Sequence, residues 1–126
     1  MAEYEYFMQF GDPGNKVGKK HFRCFGGGLE EGETAEQAMV REIEEELEFQ
    51  SKNAKFLGTF ESYRAIAETF YEEVGPSFEK EVVIHEGDFG KFFTNEEAQA
   101  LENLGGGKGG EKEAIQALEN KPRENL

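Results

Sequence analysis

Residues 26–49 read GGGLEEGETAEQAMVREIEEELEF, a glycine-rich turn running straight into a helix crowded with glutamate. Three successive glycines let the backbone turn sharply and approach a ligand closely. Thr34 with Gln37 three residues later fits a capping box, which places the helix N-cap at Thr34. At about 100° per residue, Glu42, Glu45 and Glu46 fall on one arc of the helix. Met39, Val40, Ile43 and Leu47 fill the neighbouring arc, the width of a core-facing stripe, while Glu44 and Glu48 point towards solvent. Like charges spaced i,i+4 weaken a helix by a few tenths of a kcal/mol per pair unless something cationic sits among them. Three carboxylates gathered at the edge of a buried face therefore suggest a divalent metal. Oxygen ligands of this kind suit Mg²⁺, with Mn²⁺ as the alternative, rather than zinc or copper.

The whole chain sets bounds on this reading. At 126 residues it is expected to form one domain over residues 1–126, and its 12 phenylalanines suffice for a single core. A formal net charge of −13 argues against binding duplex nucleic acid, because phosphate backbones demand a basic face. Small phosphorylated ligands stay compatible with it, since a bound metal inverts the local field. The one cysteine, Cys24, has no internal disulfide partner, which suits a reducing, cytoplasmic setting. No apolar run approaches the roughly 20 residues that span a bilayer, and no basic-then-apolar leader pattern opens the chain. The expectation is a soluble cytoplasmic protein without a membrane partner.

Outward from the central stretch, residues 2–10 alternate polar and aromatic side chains as a strand does, and Gly11–Gly14 is a turn signal. The run 21–25 reads as a second strand entering the glycines. Residues 55–63 and 66–74 read as an antiparallel pair joined through Arg64 and Ala65, with Ala67–Tyr71 also suited to a helix on propensity. Residues 78–85, with β-branched Val82, Val83 and Ile84, read as another strand, and 91–93 as a short aromatic one. Thr94 with Glu97 makes a second capping box, opening a helix to about Asn103. Residues 105–110 (GGGKGG) read as a flexible linker, because no Ser or Thr follows the lysine as a phosphate loop requires. A last amphipathic helix is expected over about 112–120, closed by Lys121 and Pro122. Tyr4, Tyr6, Phe7 and Phe10 read as core aromatics, Cys24 as a small buried hydrophobe, and His21 and His85 as strand histidines with satisfied hydrogen bonds.

Residues 27–49 resemble the Nudix box, the signature of the Nudix hydrolases, with the small MutT-like proteins nearest in size. Gly27 starts the box, Glu33 follows after five residues, and Arg41-Glu42 come seven residues later. Ile43 is the aliphatic position, Glu45-Glu46 the acidic pair, and Phe49 the final apolar place. Glu48 stands where the family has a glycine that caps the helix, a change expected to cost about 1 kcal/mol at the helix end. Phe25 stands where many relatives have proline.

The resemblance implies an α/β (α+β) fold, an α/β/α sandwich around a mixed β-sheet, with the box as loop, helix and loop. Relatives carry a further strand ahead of the one at residues 3–10. The sheet is thus expected to be N-terminally short, either lacking an edge strand or receiving one from a second subunit in a homodimer. The implied activity is Mg²⁺-dependent hydrolysis of a nucleoside diphosphate linked to another group, by attack of an activated water on phosphorus. Glu42, Glu45 and Glu46 would supply metal ligands, with the Gly26 carbonyl and, from the loop after the long strands, Glu86. Arg41 would hold a carboxylate, that of Glu33, rather than touch substrate. Glu42, Glu45 and Glu86 are all candidates for the general base. The box determines cleavage chemistry only; oxidised or ordinary nucleoside triphosphates, nucleotide sugars and dinucleoside polyphosphates all fit it. The competing reading is a Nudix-fold module that binds a nucleotide or a partner without turnover.

Overall fold

The alternation at the N-terminal end of the sequence yields a strand with two buried faces. The structure, a computed structural model, describes residues 4–11, 21–25, 30–61, 66–85, 89–102, 104 and 110–122. Strand β1 (Glu5–Gly11) lies between β2 (His21–Arg23) and a later strand, β5 (Phe89–Thr94), both antiparallel to it. Its register sets Phe7 opposite Phe92, Gln9 opposite Gly90 and Arg23, and Phe10 opposite Phe22 and Phe89. A second antiparallel pair, β3 (Lys55–Glu61) with β4 (Ile66–Tyr71), carries an irregularity between Phe56 and Gly58. Helices α1 (Ala35–Leu47), α2 (Phe78–Glu81), α3 (Asn95–Ala100) and α4 (Gly110–Glu119) complete the described elements. Every strand pairing among the described residues is antiparallel. No helix among them is long and apolar enough to cross a membrane.

Successive residues of a strand point to opposite faces, and β1 uses both. On one face Met8 joins Phe93, Ala98, Leu104 and Ile115 in the core, with Tyr6, Phe22, Cys24 and Leu101 packed against it. On the other, the Phe7 ring meets Phe25, Phe78 and Phe92 at centroid distances of 5.7, 5.3 and 5.0 Å. Phe78 in turn meets Phe49 edge-on at 5.1 Å. Because Phe25 precedes the glycines and Phe49 follows α1, this aromatic cluster grips the central stretch at both ends. Each such ring pair adds about 0.5–1.5 kcal/mol beyond its buried area.

Both capping boxes form as the sequence predicts. The Thr34 hydroxyl accepts from Gln37 N–H while Gln37 reaches back to Thr34 N–H. Thr94 and Glu97 repeat the arrangement at α3, and hydrogen bonds from Thr94 hold the Glu97 carboxyl below its usual value. Of the expected stripe on α1, Leu47 is fully buried, Met39, Val40 and Ile43 are half-buried, and Ala38 joins the buried set.

Residues 78–85 depart from expectation. Instead of a strand, Phe78–Glu81 form the helical turn α2, with Glu81 N–H donating to Ser77 O and Val82 N–H to Phe78 O. The β-branched residues beyond it use their donors elsewhere: Val83 N–H bonds Leu47 O and His85 N–H bonds Glu46 O, both at the end of α1. Burial of Phe78 between Phe7 and Phe49 outweighs the local β-preference of Val82–Ile84. Smaller shifts occur at element ends, β4 stopping at Tyr71 and α3 at Ala100.

The C-terminal helix fastens the two sheets together. Ile115 enters the core, the Tyr6 hydroxyl donates to Glu119 at 2.6 Å, and Cys24 N–H donates to Glu111 at 3.1 Å. Lys112 Nζ donates to Gln99 O at 2.9 Å and Gln99 Nε2 to Lys112 O at 2.8 Å. Gly110, expected in the linker, is the first residue of α4 and is pressed against the Glu61 carbonyl at the end of β3; residues 105–109 lie outside the described residues. A Cβ at Gly110 would overlap that backbone carbonyl, which has no side-chain freedom to yield. Gly110→Ala is therefore expected to destabilise the protein by about 3 kcal/mol, or to prevent folding. Gly75→Ala, where a Cβ meets nothing within 4 Å, should leave the urea midpoint almost unchanged. Equal midpoints for the two variants would contradict this packing.

Candidate active site

The turn ahead of α1 is built by Glu33 and closed by Gly32. Glu33 N–H donates to Glu30 O at 3.0 Å, and Glu30 N–H donates to the Glu33 carboxylate at 2.8 Å. Gly32 sits at φ +84°, a conformation in which a side chain is strained. The turn thus presents Glu33 to the second turn of the helix, where Arg41 waits. Arg41 Nε donates to Glu33 Oε2 at 2.7 Å and Nη2 to Oε1 at 2.9 Å, a two-pronged match of planar guanidinium and carboxylate.

Arg41 does more than hold Glu33. Its Nη1 donates to Glu42 at 2.8 Å and to Glu45 at 3.4 Å, and lies 3.6 Å from the Glu30 carboxylate. One cation therefore gathers four acids. The Glu33 bond, then the Glu42 bond, raise the Arg41 guanidinium further above its already high value. In return, the Arg41 bond and the Glu30 amide lower the Glu33 carboxyl below the usual glutamate range.

The three glutamates that share a helical arc do not share an environment. Glu46 is 1% exposed, the Glu42 side chain is 14% exposed and the Glu45 side chain is 56% exposed. Glu42 and Glu45 lean towards Arg41, whereas Glu46 turns inward beside buried Leu47. Among the described residues no three His, Cys, Asp or Glu side chains converge closely enough to hold a metal ion. Gly26 and Glu86, the other expected ligands, lie outside the described residues. By chemical type the donors fit a hard divalent cation, all being carboxylate oxygens. The burial of Glu46 points the same way, because an ionised carboxylate withdrawn from water requires positive charge or donors near it. Glu44 and Glu48 face solvent as the wheel predicts.

Three features near the box have little trace in the sequence. Glu30 joins the Arg41 network through the turn. Gln9 is 1% exposed, and its Oε1 has no hydrogen-bond partner among the described residues. Strand alternation, which puts Gln9 on the Phe7 side of β1, is the one signal for it. Glu48 and His85 pair at 2.6 Å across 37 residues of chain, an exposed contact worth at most about 1 kcal/mol. Cys24 has its thiol pushed up by burial and by the Glu111 carboxylate, so it is a poor nucleophile. Tyr6, Phe7 and Phe10 are committed to packing.

The domain of the NUDIX family matches residues 9–118, and the chain belongs to that family. Its fold is similar to a MutT structure from a study of Aliivibrio salmonicida and Vibrio cholerae, with a TM-score of 0.62 and 20% identity over 89% of this chain and 86% of that one. It is also similar to the solution structure of the E. coli ORF135 protein, with a TM-score of 0.62 and 18% identity over 90% of this chain and 79% of that one. At such identities the likeness is one of fold. No curated protein matches the sequence significantly. Family membership makes the chain a Nudix hydrolase, acting on phosphorus-containing anhydrides.

The lowered Glu33 carboxyl has a consequence for acid stability. Its folded pKa lies below the ordinary value of 4.5, so its contribution is complete above that value and disappears as pH falls through the folded pKa. Glu33→Gln should therefore melt below the parent at pH 7. The gap should narrow steadily as the pH is lowered from about 4.5 to 3. Melting curves that stay parallel over that range would contradict the Arg41–Glu33 assignment.

Proposed function

We propose that this NUDIX-family chain is a Mg²⁺-dependent pyrophosphohydrolase that cleaves a nucleoside diphosphate linked to another group. The observation carrying this reading is the Arg41 network. A single arginine fixes the glycine turn to the helix through Glu33 and orients Glu42 and Glu45 beside it, while Glu46 lies buried on the same helix.

Each residue has its own task. Arg41 positions carboxylates and does not contact substrate, because all of its donors that reach acids are directed back into the box. Glu33 holds Arg41 and thereby the turn. Glu42, Glu45 and Glu46 hold the metal, Mg²⁺ or Mn²⁺, with Gly26 and Glu86 as further ligands. When bound, the metal stabilises charge growing on the phosphate oxygens and makes water a better nucleophile at neutral pH. Glu45 is the most accessible of the three acids, which suits it to general-base work. The substrate is a small nucleotide, and a bound metal would offset the negative charge of this strongly acidic chain towards its phosphates.

Glu48 in the place of the box glycine favours a second reading, a module that binds nucleotide without turnover. One experiment separates the two: phosphate and pyrophosphate release from a nucleotide panel with Mg²⁺, for the parent, Glu45→Gln and Glu46→Gln. Turnover by the parent that falls about 100-fold or more in each variant supports hydrolysis through these carboxylates. Turnover that survives both substitutions would sink the ligand assignment. A parent that binds nucleotides in calorimetry yet releases nothing would establish the binding module instead.

A further inference from the structure

Helix α1 ends in an unusual way for a chain with this box. The last carbonyls of a helix lack partners within it, and a left-handed cap residue bonds a carbonyl one turn back rather than the last two. Here the donors come from far along the chain, Val83 N–H to Leu47 O at 3.2 Å and His85 N–H to Glu46 O at 2.9 Å. At the capping position Glu48 adopts the left-handed conformation, φ 52° and ψ 36°, and it is the one non-glycine residue with positive φ among the described residues. Its N–H still bonds Glu44 O at 2.9 Å, while its carboxylate lies 2.6 Å from His85 Nε2. The last turn of α1 contains no basic residue, so Glu48 adds a carboxylate to the negative end of the helix dipole with no local cation.

We infer that Glu48 and His85 are a positioning pair for Glu46. Val83 and His85 donate alternately, so a slip of the 82–85 segment by one residue turns both donors away from the helix. The Glu48–His85 bond fixes that register from the side-chain level. Glu46 is caught between the two: its carbonyl accepts the His85 amide, and its side chain is buried. Releasing the pair loosens the backbone that aims the Glu46 carboxylate. Glycine at 48 would ease the backbone conformation but provide no side chain to hold His85. The catalytic consequence rests on the reading of Glu46 as a metal ligand; the hold on the segment does not.

Four variants test the pair: Glu48→Gly, His85→Ala, the two combined, and Glu48→Gln, which keeps an oxygen acceptor for the histidine ring. The readouts are amide exchange at Val83 and His85, Mn²⁺ affinity by calorimetry, and melting temperature. Glu48→Gly should accelerate exchange at both amides and weaken Mn²⁺ binding about threefold, with an equal or higher melting temperature. Glu48→Gln should restore both properties, and the double variant should match Glu48→Gly. Unchanged exchange and affinity in Glu48→Gly, additive effects in the double variant, or no rescue by Gln would each overturn the inference. If the parent binds no Mn²⁺, the metal reading of Glu46 fails on its own, and the exchange rates alone decide for or against the pair.

Discussion

Phe7 and Met8 point to opposite sides of one strand, and the rest of the molecule is packed onto one side or the other. Met8 and Phe93 take the layer formed by α3 and α4; Phe7 and Phe92 take the aromatic cluster that includes Phe25, Phe49 and Phe78. A strand buried on both faces forces two requirements at once. Its backbone needs ladder partners, which β5 supplies along Glu5–Phe10 and β2 along Gln9–Gly11, and each face needs a covering layer. The second covering layer is where the site is built. Phe25 and Phe49 bracket the glycine turn and α1, so the packing that covers Phe7 also sets where the box begins and ends.

Within that bracket the problem is charge. The chain has 27 acidic residues against 14 basic ones, and the box concentrates the imbalance. Arg41 answers it by serving Glu30, Glu33, Glu42 and Glu45 together. A lysine could not do the same work, since a single ammonium lacks the planar fork that meets both oxygens of Glu33. The Glu46 side chain, by contrast, lies inside the protein. The acids on one arc of a helix thus have two different electrostatic settings, one compensated by a fixed cation and one arranged by burial. That division follows from tertiary packing, because the wheel treats Glu42, Glu45 and Glu46 alike.

How much the sequence reveals depends on how local the cause is. Thr34 with Gln37 and Thr94 with Glu97 announce helix starts because each cap closes within four residues. The β3–β4 pair is legible for the same reason, its two runs being neighbours in the chain. The Arg41–Glu33 contact is legible through the box, whose spacing encodes it. Gly110 is not legible: among six residues of linker composition, only its approach to Glu61 makes it part of a helix joint. Glu30 and Gln9 are hidden likewise, one by its place in a turn, the other by a strand whose opposite face supplies the core. Cys24 reads as a small buried hydrophobe, although the sequence contains no hint of Glu111, 87 residues away, whose carboxylate accepts from the Cys24 amide and adds to burial in pushing its thiol up.

The two largest departures, a glutamate where the family has a helix-capping glycine and a helical turn where the residues favour a strand, have a common origin. A strand over 78–85 would need a ladder for its backbone donors, and no described strand pairs with this segment. The end of α1 offers an alternative, since its last carbonyls, those of Glu46 and Leu47, are acceptors without donors inside the helix. Val83 and His85 meet that need, and meeting it holds the segment extended but unpaired with any strand. Phe78, folded back in α2, fills the space between Phe7 and Phe49 that allows the approach. The Glu48 backbone conformation costs about 1 kcal/mol relative to glycine, and two hydrogen bonds to otherwise bare carbonyls offset it at about 1 kcal/mol each. The departure at position 48 is then compensated by the segment that broke its own β-pattern.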